Sequence, residues 1–100
     1  MKIKAADKMT MAGEVSEILK VIANPHRLLM LCKLIDDEVS VGELAEELGV
    51  RDAVASQHLS ILRRSGVVTT RRDGQTIFYQ LADPRIRSLI ETLYRKFCRA

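Results

Sequence analysis

Two thiols and a group of small polar and basic side chains carry the chemistry open to this sequence. The chain of 100 residues has two cysteines, Cys32 and Cys98. A thiolate attacks disulfides, sulfane sulfur and peroxides, and its abundance follows local charge and exposure. Lys33, Arg95, Lys96 and Arg99 stand close to the two cysteines in sequence and would favour thiolates. Cys32 also closes the apolar run Leu28-Leu29-Met30-Leu31-Cys32, which alone would raise its pKa. By spacing alone the two read as a buried core residue and an end-of-helix thiol, with a reactive pair as the alternative. Neither lies in a Cys-x-x-Cys motif or a Gly-rich loop, and no His is near either, which argues against a sulfur-transfer enzyme. His26 and His58 are scattered and do not make a metal site. No metal and no cofactor are expected.

The second group falls in residues 52–64. At 100° per residue, Ala55, Leu59 and Leu62 cluster as a core face, and Ala53, Ser56, Gln57, Ser60, Arg63 and Arg64 cover the opposite arc. His58 lies between the two faces, as a hydrogen-bonded structural residue or a DNA contact. A small, polar arc ending in basic residues suits a major groove: Gln reads adenine bidentately, Arg reads guanine or holds phosphate, and Ser and Ala let the backbones approach. Arg71 and Arg72, with Gln75 just beyond, suit phosphate or minor-groove contact. The plain alternative is a solvated helix face and an ordinary hairpin.

Charge agrees with a polyanion partner. Residues 1–52 hold seven Lys/Arg and ten Asp/Glu, a net of −3, whereas residues 53–100 hold nine Lys/Arg and only Asp73, Asp83 and Glu91, a net of +6; the sum is +3. A composition that is 47% hydrophobic and 29% charged describes one small globular domain, too short for a large multidomain enzyme. No apolar run is long enough for a membrane span. Asp7, Thr10 and Glu14 interrupt any signal-peptide core, so a cytoplasmic protein with reduced thiols is expected.

The elements that must position these groups follow from local signals. Residues 1–9 read as a flexible N-terminal tail and 10–100 as the folded domain. Val15, Ile18, Leu19 and Ile22 recur at helical spacing from about Thr10 to Ala23. Asn24-Pro25 reads as an N-cap with proline at the first helical position, opening a helix to about Ile35. Ser40-Val41-Gly42-Glu43 is a capping box flanked by the staple residues Val39 and Leu44, and Gly49 ends that short helix. Asp52 would cap the next helix, which runs to about Ser65. Two short helices joined by a Gly-containing turn make a helix-turn-helix. Val67–Arg72 and Thr76–Leu81 read as strands about an Asp73-Gly74 turn of type I′. Asp83-Pro84 starts a last helix with the stripe Ile86, Leu89, Ile90, Leu93 and Phe97. The fold class is therefore mainly α with a β-hairpin wing: a winged helix-turn-helix of four helices, two strands and a final helix.

These residues resemble the ArsR-type winged-helix repressors over nearly the whole chain, from about residue 15 to residue 98. The landmarks are Asn24-Pro25-His26-Arg27, Ser40-Val41-Gly42-Glu43-Leu44, Ser56-Gln57-His58-Leu59 with Leu62-Arg63, and Gly74-Gln75-Thr76-Ile77-Phe78-Tyr79. The resemblance implies a homodimer, paired through the first and last helices, on double-stranded operator DNA of approximate two-fold symmetry. It also implies an inducer that weakens DNA binding. The arsenic-sensing branch has Cys-Val-Cys where this chain has Ser40 and Gly42. The zinc-sensing branch has Asp-x-His where this chain has Asp83-Pro84-Arg85, and its last-helix histidines are absent too.

The cysteines instead look like those of the BigR, SqrR and HlyU-like persulfide-responsive branch. There one cysteine lies in a Leu-Cys stretch of the second helix, as Cys32 does, and the other ends the last helix in a Tyr-x-x-x-Cys pattern, as Tyr94 to Cys98 does. The chain departs from that branch at Arg51-Asp52-Ala53-Val54-Ala55, where a Ser-rich stretch is usual, which bears on the operator more than on the sensing. The implied function is a dimeric repressor released when Cys32 and Cys98 react with persulfide or polysulfide to form a disulfide or polysulfide bridge. A HlyU-like regulator instead raises transcription by displacing a silencer. Peroxide sensing through sulfenic acid at Cys32 is the nearest competitor, and metal sensing through both cysteines with outside ligands a more distant one.

Overall fold

The computed structural model describes residues 5–98. Helix α1 (Ala5–Ile22) leads into α2 (Pro25–Lys33), the two-residue strand β1 (Val39–Ser40), α3 (Val41–Leu48) and α4 (Asp52–Arg64). Strands β2 (Val68–Asp73) and β3 (Thr76–Leu81) follow, then α5 (Pro84–Leu93), which continues as one π-helical turn from Tyr94 to Cys98. None of the helices among the described residues is long and apolar enough to cross a membrane.

The local signals act as expected at three helix starts. Asn24 accepts the Arg27 amide at 3.2 Å with Pro25 behind it, and Asp83 accepts the Arg85 amide at 2.8 Å with Pro84 behind it. Ser40 accepts the Glu43 amide at 3.2 Å; the Glu43 carboxylate takes the Ser40 hydroxyl, also at 3.2 Å, rather than the Ser40 amide. Gly49 ends α3 with φ +67°, a left-handed conformation that lets its neighbour Val50 close onto the Ala45 carbonyl at 3.0 Å. The chain then re-enters a helix within three residues, as a helix-turn-helix requires.

Four expectations need correction. Helix α1 starts at Ala5, so residues 5–9 belong to it rather than to a tail, and residues 1–4 lie outside the described part. Ala5, Ala6, Met9, Met11 and Ala12 are strong helix formers that extend the helix without any apolar stripe to announce it. Asp52 is the first helical residue of α4, not its cap; Arg51 holds the cap position with no side-chain hydrogen bond, and Asp52 favours the helix dipole from the first turn. In the wing Asp73 pairs with Thr76, so the turn is Gly74-Gln75, and only Gly74 has positive φ, +62°. A type I′ turn needs two such residues; glycine at the first central position is the mark of II′. Lastly, Phe97 leaves the apolar stripe of α5 and is 81% exposed, because the wider π turn breaks the 3.6-residue spacing.

The wing is a three-stranded antiparallel sheet in the order β1-β3-β2, because Val39 and Ser40 pair with Tyr79 and Phe78. One core joins all layers: Met30, Leu31 and Leu34 around α2, Leu44 and Ala45 from α3, Ala55, Leu59 and Leu62 from α4, Val67 and Val68 entering β2, and Ile86 and Ile90 from α5. The buried residues among those described are all hydrophobic, so burial is favourable without a polar penalty.

Candidate nucleic-acid interface and thiol pair

Helix α4 is fixed by its apolar face. Ala55, Leu59 and Leu62 are fully buried, which turns Ala53, Ser56, Gln57, Ser60, Arg63 and Arg64 outward, all exposed as one arc. The arc therefore comes together as expected. Neither Arg63 nor Arg64 enters an ion pair among the described residues, so both guanidinium groups are open to an anion.

His58 does not join that arc. It is half-buried at the junction of α1, α2 and α4, where its Nδ1 accepts Arg27 Nε at 3.2 Å and its ring meets His26 edge-on at 5.3 Å. Arg27 also donates Nη1 to the Val21 carbonyl at 2.9 Å, so one guanidinium ties the end of α1 to the recognition helix. Burial, then the charges of Arg27 and His26, hold the His58 imidazole below its ordinary value.

The wing presents its residues unequally. Arg72 and Gln75 are exposed. Arg71 is gripped by Glu38: its Nε donates to both carboxylate oxygens at 3.1 Å, Nη2 adds a further bond to Oε1, and its guanidinium lies 5.0 Å from the Phe78 ring centre. That guanidinium holds the Glu38 carboxyl below the usual range. Glu38 was invisible to motif reading, because its partner arrives only when β3 and β2 fold back beside β1.

Both thiols are free. Cys32 on α2 and Cys98 at the end of the π turn line one cavity of about 320 Å³, walled by Pro25, Leu28, Leu29, Leu93, Tyr94 and Phe97. They are close enough to interact: burial pushes the Cys32 thiol up, and the neighbouring Cys98 pushes it further. The cations near Cys32 in sequence therefore do not make it a ready thiolate. Cys98 is exposed and Cys32 half-buried, so the pair combines a reachable thiol with a more sheltered one whose pKa is raised. Among the described residues no group of three or more His, Cys, Asp or Glu could hold a metal ion.

A recognition helix held by its apolar face, with a bare polar arc ahead of a basic wing, defines a winged helix-turn-helix DNA-binding regulator. Residues 24–70 match the model of the bacterial regulatory protein arsR family. The chain is 47% identical over 83 residues to the transcriptional activator HlyU of Vibrio cholerae, covering 83% of this chain and 77% of that protein. The structure of reduced HlyU from V. cholerae superposes with a TM-score of 0.90 at 41% identity, covering 93% of this chain and 98% of that one. The transcriptional repressor BigR from Xylella fastidiosa superposes with a TM-score of 0.84 at 40% identity, covering 95% and 94%. This chain belongs to the ArsR family of bacterial regulatory proteins. Its relatives are transcriptional regulators, and transcription regulation is the function at that level.

Proposed function

We propose that the protein is a homodimeric operator-binding repressor released by reactive sulfur species through Cys32 and Cys98. The observation that carries this reading is the shared cavity: two free thiols, one on α2 and one at the far end of the chain, face the same small apolar space. DNA would be held by Ala53, Ser56, Gln57, Ser60, Arg63 and Arg64 of α4 and by Arg71, Arg72 and Gln75 of the wing. His58 acts there as a support for α4 rather than a contact.

Cys98 attacks the outer sulfur of a persulfide R–S–SH, forming Cys98–S–SH and releasing R–SH. Cys32 then attacks Cys98 Sγ, forming the Cys32–Cys98 disulfide and expelling the outer sulfur as hydrogen sulfide. If a second persulfide has modified Cys32 as well, the terminal sulfur on Cys98 attacks Cys32 Sγ, hydrogen sulfide leaves, and a trisulfide bridge remains. Sulfane sulfur is the oxidant in both cases. Burial raises the Cys32 thiol and slows its direct attack on peroxide from solution, whereas its attack on a modified Cys98 is intramolecular and proximity offsets the smaller thiolate fraction, which favours the sulfur reading over sulfenic acid at Cys32. A bridge tethers α2, which packs on α3 and α4, to the π turn, and the resulting shift displaces the recognition helix.

Intact-mass and peptide spectrometry of the reduced protein tests this, with inorganic polysulfide against hydrogen peroxide. The expected result is a cross-linked Cys32–Cys98 peptide pair under polysulfide, with operator release. Cys32→Ser and Cys98→Ser keep operator binding and lose the response. Operator release from Cys32→Ser by polysulfide would overturn the reading, and reaction with peroxide alone would make the protein an oxidant sensor.

A further inference from the structure

The corner between α1 and α2 holds a cation that the thiol chemistry leaves unused. Arg27 is half-buried, and no carboxylate pairs with it among the described residues, where the ion pairs are Lys20–Glu17, Arg71–Glu38 and Arg85–Asp83. Its donors go instead to two neutral acceptors on different helices. Nη1 donates to the Val21 carbonyl in the last turn of α1 at 2.9 Å, and Nε donates to His58 Nδ1 in the middle of α4 at 3.2 Å. The first bond also sets a cation at the negative end of the α1 dipole. Neighbours hold this fork in place. Asn24 accepts the Arg27 amide at 3.2 Å, and the His26 ring meets the His58 ring edge-on, with 62° between their planes.

The link matters because packing does little to aim α1. Of its 18 residues only Ile18, Val21 and Ile22 are withdrawn from solvent, all close to its C-terminal end. The rest of the helix stands clear of the domain like a lever on a short base. A helix of 18 residues is about 27 Å long, so a tilt of about 7° at the anchored end moves the far end by about 3 Å. That is close to one base-pair step of about 3.4 Å, and each step also turns a half-site by about 35° around the duplex. In a dimer paired through α1, the angle between α1 and α4 therefore decides how far apart, and at what rotation, the two recognition helices stand. We propose that Arg27 is the positioning residue that sets the half-site spacing the operator must have, by holding the Val21 carbonyl and His58 Nδ1 at once. The inference rests on the homodimeric operator-binding reading and adds to it the source of spacing specificity. The cysteines play no part in it.

In the test, the full reduced chain selects duplexes from a random-sequence pool. The selected duplex is then rebuilt with its half-sites one base pair further apart, and as a single half-site. The native dimer prefers the selected spacing by about ten-fold or more, because a rigid pair of arcs cannot engage both half-sites of the longer duplex. Arg27→Leu and His58→Leu, which remove the link between α1 and α4, lower that preference to about two-fold and leave single half-site affinity nearly native. His58→Gln, whose side-chain carbonyl still accepts from Arg27, keeps the preference, whereas Arg27→Lys loses it, because a compact ammonium cannot span both acceptors. A variant that is merely less folded weakens binding to both spacings alike, so the ratio reports positioning and not stability. If a leucine variant does not fold, Arg27→Lys against His58→Gln carries the same comparison. A native ratio in Arg27→Lys, or a ratio lost equally in His58→Gln, overturns the proposal. Selection of single half-sites or of no DNA by the native chain removes the operator reading and the proposal with it, and paired half-sites with native ratios in every variant remove the proposal alone.

Discussion

At the scale of single residues, Arg71 and His58 show how a sequence-level role changes once partners are in place. Arg71 can reach a DNA phosphate only by leaving Glu38, because one guanidinium fork cannot serve both at full strength. Glu38→Gln is therefore expected to tighten operator binding. Arg71→Ala is expected to weaken it and to flatten the dependence of log K on log salt by about one phosphate per protomer, near 0.9 in slope. Operator titrations from low to moderate salt decide this; an unchanged slope in Arg71→Ala takes Arg71 out of the interface. His58 gives a pH dependence. Its folded-state pKa lies below the ordinary 6.5, so folding prefers the neutral ring, whose Nδ1 accepts from Arg27. The contribution is present above the unfolded value and is lost as pH falls below it through the folded value. Melting temperatures between about pH 7.5 and about pH 5 should fall in the native protein and fall less in His58→Gln. Equal slopes would show that the ring carries no such coupling.

At the scale of elements, α4 has two faces that fail differently. Leu59→Ala empties a fully buried site and is expected to cost about 2–5 kcal/mol, a large part of the roughly 5–15 kcal/mol that holds such a domain. Gln57→Ala, on the exposed arc, should leave the melting temperature nearly unchanged and remove about 1–3 kcal/mol of discrimination at one base pair. Urea unfolding and binding to single-base operator variants separate the two effects; a stability loss in Gln57→Ala would place that side chain in the fold instead. The legibility of these elements follows the range of the forces. Asn24, Ser40, Gly49 and Asp83 act within four or five residues, so their helix ends were readable from sequence, and the Ala55, Leu59 and Leu62 stripe set the facing of α4. Strand β1 was not readable, because two residues become a strand only through pairing with Phe78 and Tyr79. The same holds for Glu38 beside Arg71 and for the cavity that joins Cys32 to Cys98, each made by chain segments far apart in sequence. Phe97 misled because its stripe presumed 3.6 residues per turn to the chain end.

At the scale of the whole molecule, the single chain leaves apolar surface without cover. Met11, Val15 and Leu19 recur every four residues along α1 and are 47%, 42% and 47% exposed, and Tyr94 and Phe97 project from the end of α5. The radius of gyration is 14.8 Å, above the roughly 13 Å of a compact 100-residue domain. A second copy docked across α1 and α5 in two-fold symmetry would cover these side chains and set two α4 arcs toward successive major grooves, about 34 Å apart along the duplex. The prediction is that Leu19→Asp with Phe97→Asp yields a folded monomer, since both side chains are exposed and a charge there costs the isolated chain little. Sedimentation equilibrium should give 11.3 kDa for the double variant and twice that for the native protein. Operator affinity should fall by about 100-fold or more, because each half-site is then held without the effective concentration that the partner supplies. A double variant that still sediments as a dimer, with native far-UV circular dichroism, would move the interface away from α1 and α5. A monomer with undiminished operator affinity would mean that one protomer reads its site alone.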